Sequence, residues 1–196
     1  MMEFVHVAVA VFSLLSLGQS DPVTNCDSLT KPFQVNGTDP PKTRIVFQFL
    51  GRWNYVAWSI DAPSDSLWKT VLRKSWLNIK AAPENDQLIA SQYNEMFNRG
   101  LTLLANLTVQ ENRFSDKNGL VAGSLLTTGC PDCMLQYLNF TFGPRSYRSL
   151  DLLSRRTMVT DAELEEYKKQ VQCLNLPPPS IRGSRKEIHF VRSTLD

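Results

Sequence analysis

Residues 101–109 read LTLLANLTV, and this stretch decides the fold class. Its apolar residues recur at every second position, as on one face of a β-strand. The sequon Asn106-Leu107-Thr108 lies within it, and a glycosylated Asn must face solvent. With Asn106 outward, five apolar residues point to an interior: Leu101, Leu103, Ala105, Leu107 and Val109. The stretch therefore predicts a strand with one buried face.

The chain on both sides of this strand continues the same pattern. Short alternating apolar runs, divided by Gly, Pro, Asn or Asp, extend from Leu50 to about Ser154. We predict eight strands, near 50–60, 68–80, 87–97, 101–110, 112–117, 119–127, 133–141 and 147–154. The sequon at Asn139 orients the seventh strand, so that Met134, Gln136, Leu138 and Phe140 face inward. Short loops favour an all-β, eight-stranded antiparallel up-and-down barrel, whose lumen admits side chains or one small ligand.

A helix is predicted after the last strand. Thr160 and Glu163 form a capping box, and the following apolar residues recur at helical spacing up to Leu174. That single stripe predicts a helix packed against the outside of the barrel. The barrel and helix then occupy residues 50–176, and residues 177–196 are expected to be a loosely ordered tail.

The amino terminus has the pattern of a secretory signal. Phe4 to Leu17 is an apolar run too short for a membrane span, and Gly18-Gln19-Ser20 supplies small residues for cleavage. We predict a signal peptide over 1–20 and an N-terminal segment over 21–49. Because Lys and Arg are absent before the apolar run, an uncleaved anchor or a buried helix is the alternative.

Later apolar runs are too short to span a bilayer, so we expect a secreted, extracellular protein, as in plasma. We also expect a monomer. Sequons that agree with this route lie at Asn36, Asn106 and Asn139.

Four cysteines, Cys26, Cys130, Cys133 and Cys173, permit three pairings in an oxidising compartment. The sequence Cys-Pro-Asp-Cys at 130–133 suits a type I turn, whose ends lie within about 7 Å, which favours Cys130–Cys133 and leaves Cys26–Cys173. A thioredoxin-like redox motif would open a helix, whereas residues 134–138 read as a strand. A zinc knuckle would need a second ligand pair.

Composition argues against several function classes. Lys and Arg number 21 and Asp and Glu 19, without a dense basic stripe, so nucleic acid is a poor candidate partner. Beyond the predicted signal peptide the only histidine is His189, which leaves little material for a Ser-His-Asp or His-rich metal site. We expect no enzyme activity, no cofactor and no metal.

The first strand carries a family resemblance. Gly51-Arg52-Trp53 resembles the Gly-x-Trp signature of the lipocalin family, and the order of signal, eight strands and helix ending in Cys-Leu-x-x-Pro agrees with it. Residues 51–57 and 172–177 are most similar to the alpha-1-acid glycoprotein group and the fish saxitoxin-, tetrodotoxin- and tributyltin-binding proteins. The resemblance covers residues 26–177.

This resemblance implies several structural roles. It implies a disulfide between Cys26 and Cys173, the two cysteines that remain once Cys130 is paired with Cys133. It also implies structural roles for Gly51 and Trp53. It also implies a basic residue packed over Trp53, either Arg155 or Arg156, with Arg156 the better placed. The second disulfide of the alpha-1-acid glycoproteins has no counterpart here, and Cys130-x-x-Cys133 is extra.

The resemblance further implies a carrier that holds one small hydrophobic, amphipathic or toxin-like molecule in the lumen. Tyr55 and Ala57 share the parity of Trp53, and counting back from Cys173 places Asp151 and Leu153 inward. An inward Asp must be solvated at the mouth or await a cationic ligand, although a one-residue slip would turn it outward. The expected ligand contacts are Tyr55, Ala57, Leu103, Ala105, Leu138, Asp151 and Leu153.

Two other functions share the fold. Catalytic lipocalins use a cysteine inside the barrel, whereas the four cysteines here fall outside the inward strand positions. An acute-phase or defence protein acting through its surface is the alternative to a carrier.

Overall fold

The computed structural model describes residues 25–34, 48–63, 75–84, 86–96 and 99–183. Its helices are α1 (Cys26–Leu29) and α2 (Asp161–Cys173). The strands are β1 (Gly51–Ile60), β2 (Trp76–Ala81), β3 (Gln87–Met96), β4 (Arg99–Gln110), β5 (Arg113–Asp116), β6 (Val121–Leu126), β7 (Cys133–Phe142), β8 (Arg145–Ser154) and β9 (Ser180–Ile181). The predicted signal peptide, the sequon at Asn36 and residues 68–74 of the predicted second strand lie outside the described residues.

Strands β1 to β8 form a closed antiparallel barrel. Each strand pairs with the next along the chain, and β1 pairs with both β2 and β8. This arrangement confirms the predicted eight-stranded up-and-down barrel. Helix α2 begins at the predicted capping box, in which Thr160 Oγ1 accepts from the Glu163 amide and Glu163 Oε2 accepts from the Thr160 amide.

Apolar side chains fill two separate clusters, one inside the barrel and one between the barrel and α2. On β8, Leu153 belongs to the inner cluster, whereas Leu150 and Leu152 belong to the outer one with Tyr167 and Val171 of α2. The Tyr167 hydroxyl donates to the Leu150 carbonyl at 2.7 Å. The helix therefore covers the outside of the barrel, as predicted.

Strand β4 has the predicted parity but is buried only in its second half. Ala105, Leu107 and Val109 pack in or against the inner cluster, and Asn106 is exposed. Leu101 and Leu103 are 46% and 43% exposed. They lie near the end of the barrel where β4 begins, which we call the mouth; the end where β1 begins is the floor.

A β-bulge in β1 overturns the prediction for Ala57. The pairing of β1 with β8 shifts between Tyr55 and Ala57, so the alternation is broken at Val56. Val56 and Ala57 both pack in the outer cluster, and Trp58 turns into the inner one. The prediction that Ala57 lines the lumen is therefore wrong.

The basic residue over Trp53 is Arg155. Its guanidinium carbon lies 3.6 Å from the centroid of the Trp53 ring, and its nitrogens donate to the carbonyls of Arg52 and Leu50 at 2.7 and 2.6 Å. Gly51 has a φ of +92°, and a Cβ there would lie 3.2 Å from Arg155 Nη1. Glycine at this position therefore suits both the backbone and the guanidinium.

Arg156 has a different role, so its predicted place over Trp53 is wrong. It pairs with Asp132 at 2.7 Å and with Glu163 at 2.9 Å. The end of β8 is thereby tied to the turn before β7 and to the first turn of α2.

Both predicted disulfides are present. Cys26–Cys173 joins α1 to the end of α2, and Cys130–Cys133 closes the turn before β7, each with a Cα separation of 5.3 Å. Within the described ranges all cysteines are paired.

Part of the predicted loose tail is held against the barrel. Ser180 and Ile181 pair with Trp58 and Ala57 of β1, and the Arg182 amide donates to the Val56 carbonyl at 2.9 Å. Residues 184–196 lie outside the described residues. No helix in the described part of the chain is long and apolar enough to cross a membrane.

Candidate functional site

The half of the lumen nearer the floor contains an apolar pocket. It encloses about 450 Å³ of space between protein atoms, part of which is open to solvent. Ten of its residues are apolar: Phe49, Leu77, Ile79, Leu88, Ala90, Leu107, Val109, Phe114, Leu125 and Met134. Asn112, Arg113 and Gln136 complete the lining. Trp53 packs beside Phe49, whose carbonyl accepts from Trp53 Nε1 at 2.8 Å, so the indole has a structural contact at the floor.

A layer of hydrogen-bonded polar side chains lies within the same barrel. The Tyr55 hydroxyl donates to Gln92 Oε1 at 3.2 Å. Gln92 Nε2 and Ser75 Oγ both donate to Asn94 Oδ1, at 2.9 and 2.8 Å. This chain of bonds fixes the orientation of the Asn94 side chain.

Asp151 faces the lumen and is 2% exposed. Gln136 Nε2 donates to Asp151 Oδ2 at 3.4 Å, whereas Asp151 Oδ1 has no hydrogen-bond partner among the described residues. Burial raises the pKa of Asp151 to about 7, and the hydrogen bond from Gln136 offsets only part of the rise. Burial, and then the charge of Asp151, raise the pKa of Tyr55 well above its ordinary value. Both shifts arise because water is largely excluded from this region.

Three further lumen side chains carry a polar atom without a partner in the described part of the chain: Trp58 Nε1, Asn94 Nδ2 and Ser149 Oγ. Trp58, Asn94 and Ser149 are at most 1% exposed. An unpaired buried polar group costs about 1–3 kcal/mol, and these three lie in the same barrel as Asp151. A bound molecule that pairs with these atoms would remove that cost.

The sequence-predicted site residues are partly brought together. Tyr55 and Leu153 are opposite each other in the β1–β8 pairing, and Asp151 lies on the same face of β8. Ala105 packs against the inner cluster and Leu103 lies near the mouth. Ligand contact by these residues, and by Leu138 on β7, stays a prediction.

Asn94 and Ser149 were missed, and the sequence left open on which side of its strand Trp58 lies. The alternation of Leu88, Ala90, Gln92 and Asn94 was a usable signal for Asn94, since all four share one parity on β3. Ser149 shares the parity of Asp151 in the same way. Trp58 had no such signal, because the bulge at Val56 changes its side.

No family model matches the chain, and no curated protein matches it. Many solved structures are similar in shape, and two of them are lipocalin structures. The siderocalin Ex-FABP, described as functioning through dual ligand specificities, has a TM-score of 0.61 and 13% identity over 70% of this chain and 95% of its own. The bovine lipocalin allergen Bos d 2 has a TM-score of 0.56 and 18% identity over 69% of this chain and 92% of its own.

The chain has the lipocalin fold. Both similar structures are lipocalins, and the closed barrel, the outer helix and the Trp53–Arg155 contact of this chain agree with that fold. That the chain is related to the alpha-1-acid glycoprotein group or to the fish toxin-binding proteins stays a prediction. The lumen of this barrel contains the apolar pocket and the buried Asp151 described above.

Proposed function

We propose that this lipocalin is a secreted carrier that binds one small amphipathic molecule in its lumen, with a cationic group of the ligand at Asp151. The observation that carries the proposal is a buried aspartate with an unpartnered carboxylate oxygen in the same barrel as an apolar pocket.

The burial of Asp151 is costly without a cation. Within the described ranges Asp151 has no ion-pair partner, and its one hydrogen bond, from Gln136, is long at 3.4 Å. A guanidinium or ammonium group of a ligand would supply opposite charge and a charge-assisted hydrogen bond in a partly dry lumen. The unmet electrostatic need of this carboxylate therefore supports a ligand-binding role.

The apolar pocket supports the proposal that the ligand has an apolar part in addition to its cationic group. Ten of its thirteen lining residues are apolar, so the part of a ligand that enters this pocket would be apolar as well. Gln136 lines this pocket and also bonds to Asp151. A ligand with a cationic head at Asp151 can therefore place an apolar part in the adjoining pocket.

The test compares a cationic and an apolar ligand on Asp151→Asn. We expect calorimetry to show at least tenfold weaker binding of saxitoxin, a guanidinium compound, about 1.4 kcal/mol or more, and retinol affinity within about threefold of the unmodified protein. Asp161→Asn, the same change at an exposed position of α2, is the control. Equal saxitoxin affinities, or no saxitoxin binding, would remove the cationic site and leave a general hydrophobic carrier.

Secretion is tested separately. Asn106 and Asn139 are exposed, as a glycan acceptor must be. We expect endoglycosidase treatment of protein secreted from cultured animal cells to lower its mass, and Asn106→Gln with Asn139→Gln to reduce that shift. An unchanged mass would contradict glycosylation at these positions.

A further inference from the structure

We infer that Trp58 and Asn94 form a second half of the lumen site, in which both donate hydrogen bonds to an acceptor oxygen on the ligand. The ligand would then carry a carbonyl or hydroxyl oxygen in addition to its cationic group. This inference rests on the proposed function, because it assigns further contacts within the same site.

The position of Trp58 places it beside the carboxylate. Trp58 lies opposite Asp151 in the pairing of β1 with β8, and both side chains are directed into the barrel. Directly opposite residues on one face of an antiparallel pair have Cβ atoms about 4.5–5.5 Å apart. One small molecule can therefore contact the indole and the carboxylate together.

The indole of Trp58 differs from that of Trp53 in the same barrel. Trp53 Nε1 donates to the Phe49 carbonyl at 2.8 Å, as buried indoles usually do. Trp58 is 1% exposed, and its Nε1 has no acceptor among the described residues. The structural tryptophan at the floor is satisfied, whereas the one beside Asp151 has a donor available.

The side-chain amide nitrogen of Asn94 is available to donate a hydrogen bond to a ligand. Ser75 Oγ and Gln92 Nε2 both donate to Asn94 Oδ1, so the amide oxygen is the end of Asn94 that these two bonds occupy. Asn94 is 0% exposed, and Nδ2 has no partner in the described part of the chain. Gln92 Oε1 in turn accepts from the Tyr55 hydroxyl, and Tyr55 lies opposite Leu153 on the strand that also carries Asp151.

The polar atoms of this site define which groups a matching ligand must carry. Asp151 Oδ1 requires a donor or a cation, while Trp58 Nε1 and Asn94 Nδ2 require an acceptor. The Ser149 hydroxyl can serve in either role and so does not discriminate. A ligand without an acceptor leaves two buried donors unpaired, and sites built around hydrogen bonds reject such analogues strongly.

The test uses two aliphatic amines that differ in one carbonyl, 2-phenylethylamine and 2-amino-1-phenylethanone, measured by native mass spectrometry and calorimetry. We expect the intact protein to bind 2-amino-1-phenylethanone at least about tenfold more tightly. Trp58→Phe removes the N–H but keeps an aromatic ring, and we expect it to reduce this preference to about threefold or less. Trp76→Phe is the matched control, because Trp76 stacks on Tyr93 at 5.4 Å on the outside of the barrel.

A second measurement covers the case in which Trp58→Phe fails to fold. The intact protein is labelled at tryptophan with nitrogen-15, and one indole N–H resonance is assigned to Trp58 by paramagnetic broadening or sequential connectivity. We expect this resonance to shift with 2-amino-1-phenylethanone and to shift less with 2-phenylethylamine. Equal affinities for the two amines, an unmoved Trp58 resonance, or no binding of either amine would overturn the inference. If Asp151→Asn still weakens both amines equally, the proposed function survives; if that variant binds both amines as before, the proposed function is the part that fails.

Discussion

Replacing Asp151 by Asn should change how the stability of this protein depends on pH. Burial raises the pKa of Asp151 from the ordinary value of 3.8 to about 7 in the folded chain. Between these values the folded protein retains a proton that the unfolded chain has released. The free energy of unfolding therefore falls as the pH rises from about 4 to about 7, and the loss is complete above the folded pKa.

The size of this effect follows from the shift. One pKa unit corresponds to about 1.4 kcal/mol, so a group that moves from 3.8 to about 7 should lower the free energy of unfolding by about 3 kcal/mol between about pH 4.5 and about pH 8. Asparagine has nearly the same shape and does not titrate. Asp151→Asn should remove this loss, although its new amide adds a cost that is the same at both pH values.

Urea unfolding followed by tryptophan fluorescence, at both pH values and constant ionic strength, measures this difference. We expect the stability of Asp151→Asn relative to the unmodified protein to rise by about 3 kcal/mol from the lower to the higher pH. Asp161→Asn, at an exposed position, controls for the substitution itself. Parallel pH dependences of Asp151→Asn and the unmodified protein would show that Asp151 is ionised at low pH in the fold, and the account of the site would be refuted.

Three further predictions concern the scaffold. Arg155→Gln should lower the free energy of unfolding by about 1–2 kcal/mol and alter the fluorescence emission of Trp53, because a cation–π contact and two hydrogen bonds are lost. Unchanged emission and stability would contradict this prediction. Replacing both Cys26 and Cys173 by Ser should cost up to about 5 kcal/mol in urea unfolding, because that disulfide joins residues 147 positions apart, and non-reducing peptide mapping should find the pair in the intact protein. Gly123→Ala should lower the free energy of unfolding by about 1–3 kcal/mol in the same assay, because its Cβ would lie 2.6 Å from Phe114 Cζ and 2.8 Å from the Tyr137 carbonyl oxygen. A stability equal to that of the unmodified protein would show that the neighbouring strands move to accommodate the methyl group.

Much of the scaffold could be predicted because its signals lie between neighbours along the chain. Alternation along β4 and β7 distinguished inward from outward residues, and the exposed Asn106 and Asn139 agree with it. The capping box at Thr160 placed the start of α2 correctly. The Cys-Pro-Asp-Cys turn separated the two disulfides.

The candidate site was only partly predictable. Counting back from Cys173, within the family resemblance, placed Asp151 and Leu153 inward, although a one-residue slip stayed open. The parity of β3 could have placed Asn94 inward as well. The burial of Asp151, by contrast, depends on the strands that surround it, and its unpaired oxygen depends on where Gln136 lies across the pair with β7. These properties arise between residues far apart in sequence.

The sequence by itself indicated the eight barrel strands, the helix α2 and the Cys130–Cys133 pair, because each rests on periodicity or on turn and cap chemistry within a few residues. The pair Cys26–Cys173 followed by elimination, and β9 was not predicted. The tertiary structure decided which side chains the site contains. The bulge at Val56 exists only in the pairing of β1 with β8, and it moves Ala57 out of the lumen and Trp58 into it. A one-residue shift reverses every later side chain of a strand, so local alternation cannot reveal it without the partner strand.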